Sequence, residues 1–367
     1  MYLETYFQDL LRGRKKGFWN KAILGIFYLL SLPHQAIVVL RNRFFDQGWF
    51  TSYSPPVPLV ISIGNLVAGG TGKTPVTLLL AKTLSEIVPT AILSRGYRSE
   101  SEKLSSPVLL HKEAGIVHTA LYAGDEPFLL AENVEKAKVY VGKNRVASSN
   151  LAAKGGALAI VLDDGFQHRR LARDFDLVVI DAEDPFGQGY FLPRGFLRDQ
   201  ICSLARADLV ILNHVRDVHN YLELSQQIAQ ATQAPVVGTR VVVSKISFLN
   251  NEPIDTLAGQ KIALFCGIGK PESFLSMVQD LGSEIVASKY FPDHTNFLFE
   301  EIRAFASRAS ALGASMLVCT EKDKVKLLDF PEVSLPVVWV KTDLEIVQGE
   351  SHWEEFLEKI SQTLEMH

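Results

Sequence analysis

The sequence predicts an α/β protein. A doubly wound, mostly parallel sheet forms the core, a second, smaller α/β unit follows, and a hydrophobic helix precedes both. Three observations predict this. Short apolar runs without polar alternation recur between helical segments, as parallel strands covered on both faces do. A glycine-rich loop joins the first of these runs to a helix. Near residue 240 the pattern resets and repeats on a smaller scale. A chain of 367 residues, 47% hydrophobic, suffices for two medium domains. The reading divides it into a membrane-associating helical segment over 1–50, a core over 51–240 and a smaller unit with a closing helix over 241–367.

The first segment is set by charge and apolarity. Residues 1–50 carry Arg12, Arg14, Lys15, Lys16, Lys21, Arg41 and Arg43 against Glu4, Asp9 and Asp46, a net of +4, although the whole chain is −4. The cations bracket "KAILGIFYLLSLPHQAIVVL", apolar almost all round and interrupted at Ser31, Pro33, His34 and Gln35. A cleavable signal is disfavoured by the absence of an A-x-A site. The unbroken apolar run is short for a span. A monotopic anchor with cations at the headgroups fits best; a helix buried against the body and a true span are the alternatives.

"YSPPVP" is a rigid connector. Strands follow at "LVISI" (59–63), "TAILS" (90–94), "KVYV" (138–141), "ALAIVLDD" (157–164), "FDLVVIDA" (175–182) and "ADLVILN" (207–213). "PVTLLLAKTLSEIV" (75–88) is a helix, with Pro75 tolerated in its first turn. "YLELSQQIAQATQ" is a helix, and "GTRVVVSKISFLNNEPIDTLAGQ" an extended bridge. The second unit holds strands "KIALFC", "SEIVASKYF", "SMLVC" and "PVVWVKTD", helices at "PESFLSMVQDLG" and around 298–312, and a closing amphipathic helix, "SHWEEFLEKISQTLEM".

Composition excludes several classes. Charged residues are 21% and the net charge is small, which excludes a nucleic-acid binder by bulk charge. Cys202, Cys266 and Cys319 are too few and too far apart for a disulfide framework or a cysteine-based metal site.

Chemistry concentrates in two places. "GNLVAGGTGKTP" (64–75) has strand, glycine-rich turn, GKT and helix in order, so its amides can surround a phosphate. Gly69, Gly70 and Gly72 give the backbone room around Thr71; Lys73 reaches the β- and γ-phosphates and Thr74 holds Mg²⁺. The strict phosphate-loop pattern fails at Val67, where a glycine is expected. "ALAIVLDD" ends on Asp163 and Asp164 at the carboxyl edge of its strand, placed to hold or orient the metal. "AGDEPFLL" presents Asp125 and Glu126 at a helix start, either as first-turn acids or as a carboxylate near the transferred phosphate. "FPDHTNF" adds Asp293 and His294.

Taken together, "GNLVAGGTGKTP", "LSRGYR", "GDEPFLLA", "VGKNR", "LDDGFQHRRLARDFDLVVIDA", "LPRGFLR", "FCGIGKPESF", "PDHTNF" and "TEKDKVKL" resemble the tetraacyldisaccharide 4′-kinase family over nearly the whole chain. The resemblance implies ATP and Mg²⁺ as cofactors. It implies transfer of the γ-phosphate to the 4′-hydroxyl of a tetraacylated glucosamine disaccharide 1-phosphate, at the cytoplasmic face of the bacterial inner membrane. It also implies Asp125 as base, assisted by His294; Lys73 and Thr74 at phosphate and Mg²⁺; Asp163 and Asp164 in the metal region; and Arg145 at a phosphate. Gln167, His168 and Arg169 would line the sugar or phosphate pocket. One departure is Asp199-Gln200, where many members have Glu-Pro. The competing readings are a soluble small-molecule kinase, which leaves the basic apolar start unexplained, and a membrane-associated regulatory ATPase, which gives Asp125 no role.

Overall fold

The computed structural model describes residues 2–97, 99–112, 115–116, 118–293, 295–327 and 333–366. Two helices, α1 (Tyr2–Leu11) and α2 (Phe18–Asp46), come first. The first unit runs β1 (Leu59–Gly64), α3 (Lys73–Ser85), β2 (Thr90–Ser94), β3 (Val108–Leu109), a small ribbon of β4 (His111–Lys112) and β5 (Gly115–Ile116), α4 (Ala120–Ala123), α5 (Asp125–Asn133), β6 (Ala137–Val141), α6 (Arg145–Lys154), β7 (Ala159–Asp163), β8 (Phe175–Asp181), β9 (Leu209–Asn213) and α7 (Val218–Ile228). Strand β10 (Val236–Phe248) leads into the second unit: β11 (Lys261–Cys266), α8 (Pro271–Asp280), β12 (Glu284–Tyr290), α9 (Phe299–Ala311), β13 (Met316–Thr320), α10 (Glu321–Lys324), β14 (Val337–Gln348) and α11 (Glu350–Glu365).

Twelve strands form one sheet, ordered β12-β11-β13-β14-β10-β9-β8-β1-β7-β2-β6-β3. Within the first unit's part of that sheet all pairings are parallel except β3 with β6. Strand β1 lies between β7 and β8, so the chain departs in opposite directions on its two sides, and the loop after β1 opens at this switch point. Alternate side chains of β1 serve opposite faces: Leu59, Ile61 and Ile63 pack with Val76 and Leu80 of α3, whereas Val60 packs with Ala152 and Leu171.

The units meet through β10 and β14, paired antiparallel from Gly238↔Gln348 to Phe248↔Val338. Only the first residues of β10 pair with β9, and β13 pairs only with the first residues of β14. The second unit therefore lies beyond the carboxyl edge of the first. Its strands β11, β12 and β13 run parallel to β14 and so against β10. Their carboxyl ends point back at the carboxyl ends of the first unit, and two loop-bearing edges face each other across a cleft.

Helix α11 departs from the order of the chain. It was expected to close the second unit, but Trp353, Phe356 and Ile360 are buried with Leu59, Leu84 and Val179 of the first. The spacing of these three residues is one helical stripe. Helix α2 also differs from the interrupted run in the sequence: it is continuous through Pro33 for 29 residues. Only Ser31, Val38 and Asn42 are buried, one stripe against the body. Ile26, Leu29, Leu30, Ile37 and Leu40 are exposed.

Phe356 is 2% exposed at the centre of the α11 contact. Phe356→Ala should cost about 3–5 kcal/mol of unfolding free energy through the cavity it leaves. Urea denaturation followed by tryptophan fluorescence checks this; a loss under about 1 kcal/mol would show that α11 is only loosely seated.

Candidate active site

The glycine-rich loop divides into two halves with different partners. In the first half, the Ala68 amide donates to the Phe196 carbonyl at 2.7 Å and the Arg198 amide to the Leu66 carbonyl at 2.8 Å. Val67 is buried in this bridge, opposite Leu197. A side chain rather than a glycine stands at 67 because this stretch packs against "LPRGFLR". The second half carries the glycines. Gly69 has φ 111° and Gly72 φ 83°, left-handed values that favour glycine. A β-carbon on Gly72 would stand 1.9 Å from Asn213 Nδ2. That amide donates to the Thr71 carbonyl at 3.2 Å, and Asn65 Nδ2 donates to Thr71 Oγ1 at 2.8 Å. Lys73 and Thr74 then open α3, whose first amides face the loop.

The two aspartates at the end of β7 have different environments. Asp163 is buried and accepts from Ser94 Oγ at 2.9 Å and Thr77 Oγ1 at 3.5 Å. Burial, then the neighbouring Glu126 and Asp164 carboxylates, push it up to about 6. Asp164 has φ 53°, which turns its carboxylate toward the loop. Arg198 grips it with two bonds of 2.7 and 3.0 Å, and Lys73 Nζ stands 3.6 Å away. Burial opposes ionisation here, but Lys73 and Arg198 hold the group well below the ordinary carboxylate range. Thus Asp164 stays charged while Asp163, Asp164 and Glu126 crowd negative potential into one place. Carboxylate oxygens gathered beside a phosphate loop suit a hard divalent ion. Among the described residues no three acidic or imidazole side chains surround a point, so such an ion would take further oxygens from phosphate and water.

Several expected roles change. Arg145 is 5% exposed and donates to the backbone carbonyls of Gly142 and Asp163, so it props up the Asp163 turn. Burial lowers it to about 10. Gln167 donates to the Asn65 carbonyl at 2.8 Å and steadies the loop. Arg169 caps α2, donating to the Asn42 carbonyl and to Asp46. His168 is pushed down to about 4 by burial and by Arg145, Arg173 and Arg170, and is neutral at pH 7. Asp199 also belongs to α2: wholly buried, it accepts from Asn42 Nδ2 at 2.7 Å and Ser203 Oγ at 2.9 Å, with Arg206 and Arg41 alongside.

On the same edge, Asp125 begins α5, 8% exposed, and Lys326 of the second unit reaches across the cleft with Nζ 3.1 Å from Oδ2. His294 lies outside the described residues. Its neighbour Asp293 pairs with Lys322 at 3.0 Å, and Lys322 pairs with Glu126 at 3.4 Å. Burial disfavours the Lys322 charge, but Glu126 and Asp293 outweigh it and raise its pKa. Asp293 and the Glu126 of "GDEP" thus come together through one lysine. The loop after β11 joins them. A β-carbon on Gly269 would be 3.6 Å from the Gly70 nitrogen, and Lys270 donates to Asp181 and to Glu183. The sequence reading assigned no function to Arg198, Asn213, Lys270, Lys322 or Lys326. The only signal for the last two was the lysine alternation in "TEKDKVKL".

Residues 23–362 match the family described as tetraacyldisaccharide-1-P 4′-kinase. A protein of Syntrophus aciditrophicus named tetraacyldisaccharide 4′-kinase is 36% identical over 87% of this chain and 88% of its own length. One of Anaeromyxobacter sp. with the same name is 39% identical over 83% and 82% respectively. A crystal structure described as the apo form of LpxK from Aquifex aeolicus in complex with ATP superposes with a TM-score of 0.73 at 26% identity, covering 92% of this chain and 99% of that one.

Gly72 tests the loop independently of turnover. Gly72→Ala combines a strained φ with a clash against Asn213. Isothermal titration should show nucleoside triphosphate affinity reduced by roughly 10-fold or more in a folded protein, about 1.4 kcal/mol. Unchanged affinity would remove this loop from the nucleotide site.

Proposed function

The chain belongs to the tetraacyldisaccharide-1-P 4′-kinase family, and from that premise we infer how its residues carry the family's reaction. It transfers the γ-phosphate of ATP to the 4′-hydroxyl of a tetraacylated glucosamine disaccharide 1-phosphate, a step of lipid A biosynthesis. The observation that carries the reading is the facing pair of edges. The phosphate loop with Lys73 and Asp164 and the GDEP carboxylates stand on one side, and the second unit's lysines pair with those carboxylates from the other.

Phosphoryl transfer needs positioning and charge neutralisation more than covalent chemistry. We propose that the amides of Gly69, Gly70, Thr71 and Gly72 receive the β- and γ-phosphates, with Lys73 adding a cation at the transferring group. Arg198 keeps Asp164 charged and steers it toward Lys73. Thr74, Asp163 and Asp164 are the proposed Mg²⁺ holders; the ion supplies charge to the phosphate oxygens. Asp125 is the proposed base, with His294 as its assistant. As the 4′-oxygen bonds to the γ-phosphorus, the bond to the bridging oxygen breaks, ADP leaves, and the hydroxyl proton passes to the carboxylate.

Asp125→Asn keeps the helix-start shape and removes basicity. Transfer of label from γ-labelled ATP to a tetraacyl-disaccharide acceptor in detergent should fall by roughly 10²–10⁴-fold with ATP affinity retained. Full activity would exclude Asp125 as base. Wild-type protein that binds ATP yet labels no lipid would sink the kinase assignment.

We also propose that α1 and α2 seat the enzyme on the cytoplasmic face of the inner membrane as a peripheral or monotopic protein. The exposed leucines and isoleucines of α2 would enter the acyl boundary, and Lys15, Lys16 and Lys21 the headgroup layer. Deleting residues 1–50 should leave ATP binding nearly intact, because the attachment is a single stripe around Asn42 and Asp199. Sedimentation with anionic vesicles should fall, and so should activity on bilayer-embedded acceptor. Undiminished sedimentation would place the anchor elsewhere, and loss of ATP binding would make α2 part of the folded core.

A further inference from the structure

The lysines of "TEKDKVKL" alternate at 322, 324 and 326, and each meets an acid of the first unit. Lys322 meets Glu126, Lys324 is 3.8 Å from Glu132, and Lys326 is 3.1 Å from Asp125. Lys326 is the most enclosed, with 3% of its side chain exposed against 10% for Asp125. Its other partner is Asp323, 3.5 Å away, whose carboxylate is fixed by the Gly267 amide and by Thr320 Oγ1. The lysine therefore hangs from a rigid support in the second unit and ends at a carboxylate of the first. Burying such a pair is expensive, and the geometry adds little stability over apolar packing of the same volume. A pair retained at this place calls for another explanation.

Resting on the reading of Asp125 as the base, we infer that Lys326 is its positioning residue: it holds the carboxylate in its charged, accepting form and makes the base complete only when the second unit is docked. An opposite charge this close favours the carboxylate over the acid. The other groups around Asp125 divide in sign. Lys322 is the second cation, shared with Glu126 and Asp293; Glu126, Asp293 and Asp323 are the acids. Lys326 pairs with Asp125 directly.

The sign follows. Without Lys326 the charged form of Asp125 is less favoured, so the acid limb of the rate profile moves to higher pH. The experiment is the pH dependence of kcat/KM for the lipid acceptor in Lys326→Met, Lys326→Arg, Asp125→Asn and the double variant Lys326→Met/Asp125→Asn. We expect Lys326→Met to shift the acid limb upward by about 1–2 pH units, with activity largely recovered at high pH and KM for ATP unchanged. Lys326→Arg should keep the wild-type limb, and Lys326→Met should cost nothing further in the Asp125→Asn background. Lys326→Gln, which keeps a polar tip, replaces the Met variant if that protein fails to bind ATP. A neutral variant that loses activity equally at every pH overturns the inference and leaves Lys326 a packing residue, with Asp125 still the base. Full activity in Asp125→Asn overturns the base assignment itself, and this inference with it.

Discussion

The antiparallel pairing of β10 with β14 is the constraint from which the rest follows. Parallel strands put functional loops at their carboxyl edges, and a single α/β sheet has one such edge. Reversing direction through two long strands gives the protein a second edge that faces the first. The phosphate loop, the β7 aspartates and the GDEP helix occupy one side. The GIGK, PDH and TEKD loops occupy the other. The first half carries the phosphate loop and its acids, the second the lysines that pair with them, and the twelve-stranded sheet is what brings the halves together.

Charge then joins the edges. Lys270, Lys322, Lys324 and Lys326 all come from the second unit and all meet acids of the first. Inside the first unit a different set, Arg198, Lys73 and Asp164, orders the phosphate loop. Opposite signs on facing edges align the cleft electrostatically, whereas the cores behind them are apolar.

Much of this was legible in the sequence because it is local. The parallel strands are short apolar runs, and Thr90–Ser94, for instance, was read to the residue. The phosphate loop could be read because strand, glycines and helix are consecutive. What resisted reading depends on contacts between distant residues. Val67 looked anomalous until Leu197 appeared opposite it. Nothing local says that the Arg145 guanidinium also braces the Gly142 and Asp163 carbonyls. Asp199 stood out only as a departure from the family pattern, yet its partners are Asn42, Ser203 and Arg206. A buried polar network is invisible in one dimension because each member satisfies a partner chosen by the fold.

Helix α11 has a consequence for how the protein is made. Its three buried side chains complete the core that β1 and α3 begin, nearly 300 residues earlier in the chain. As the chain leaves the ribosome, the first unit therefore carries an uncovered apolar face throughout synthesis of the second. The nucleotide half is finished last, although most of it is translated first. A message cut short before codon 350 would yield a protein with its phosphate loop in place and a sticky flank beside it, a substrate for chaperones and proteases rather than a working half-enzyme.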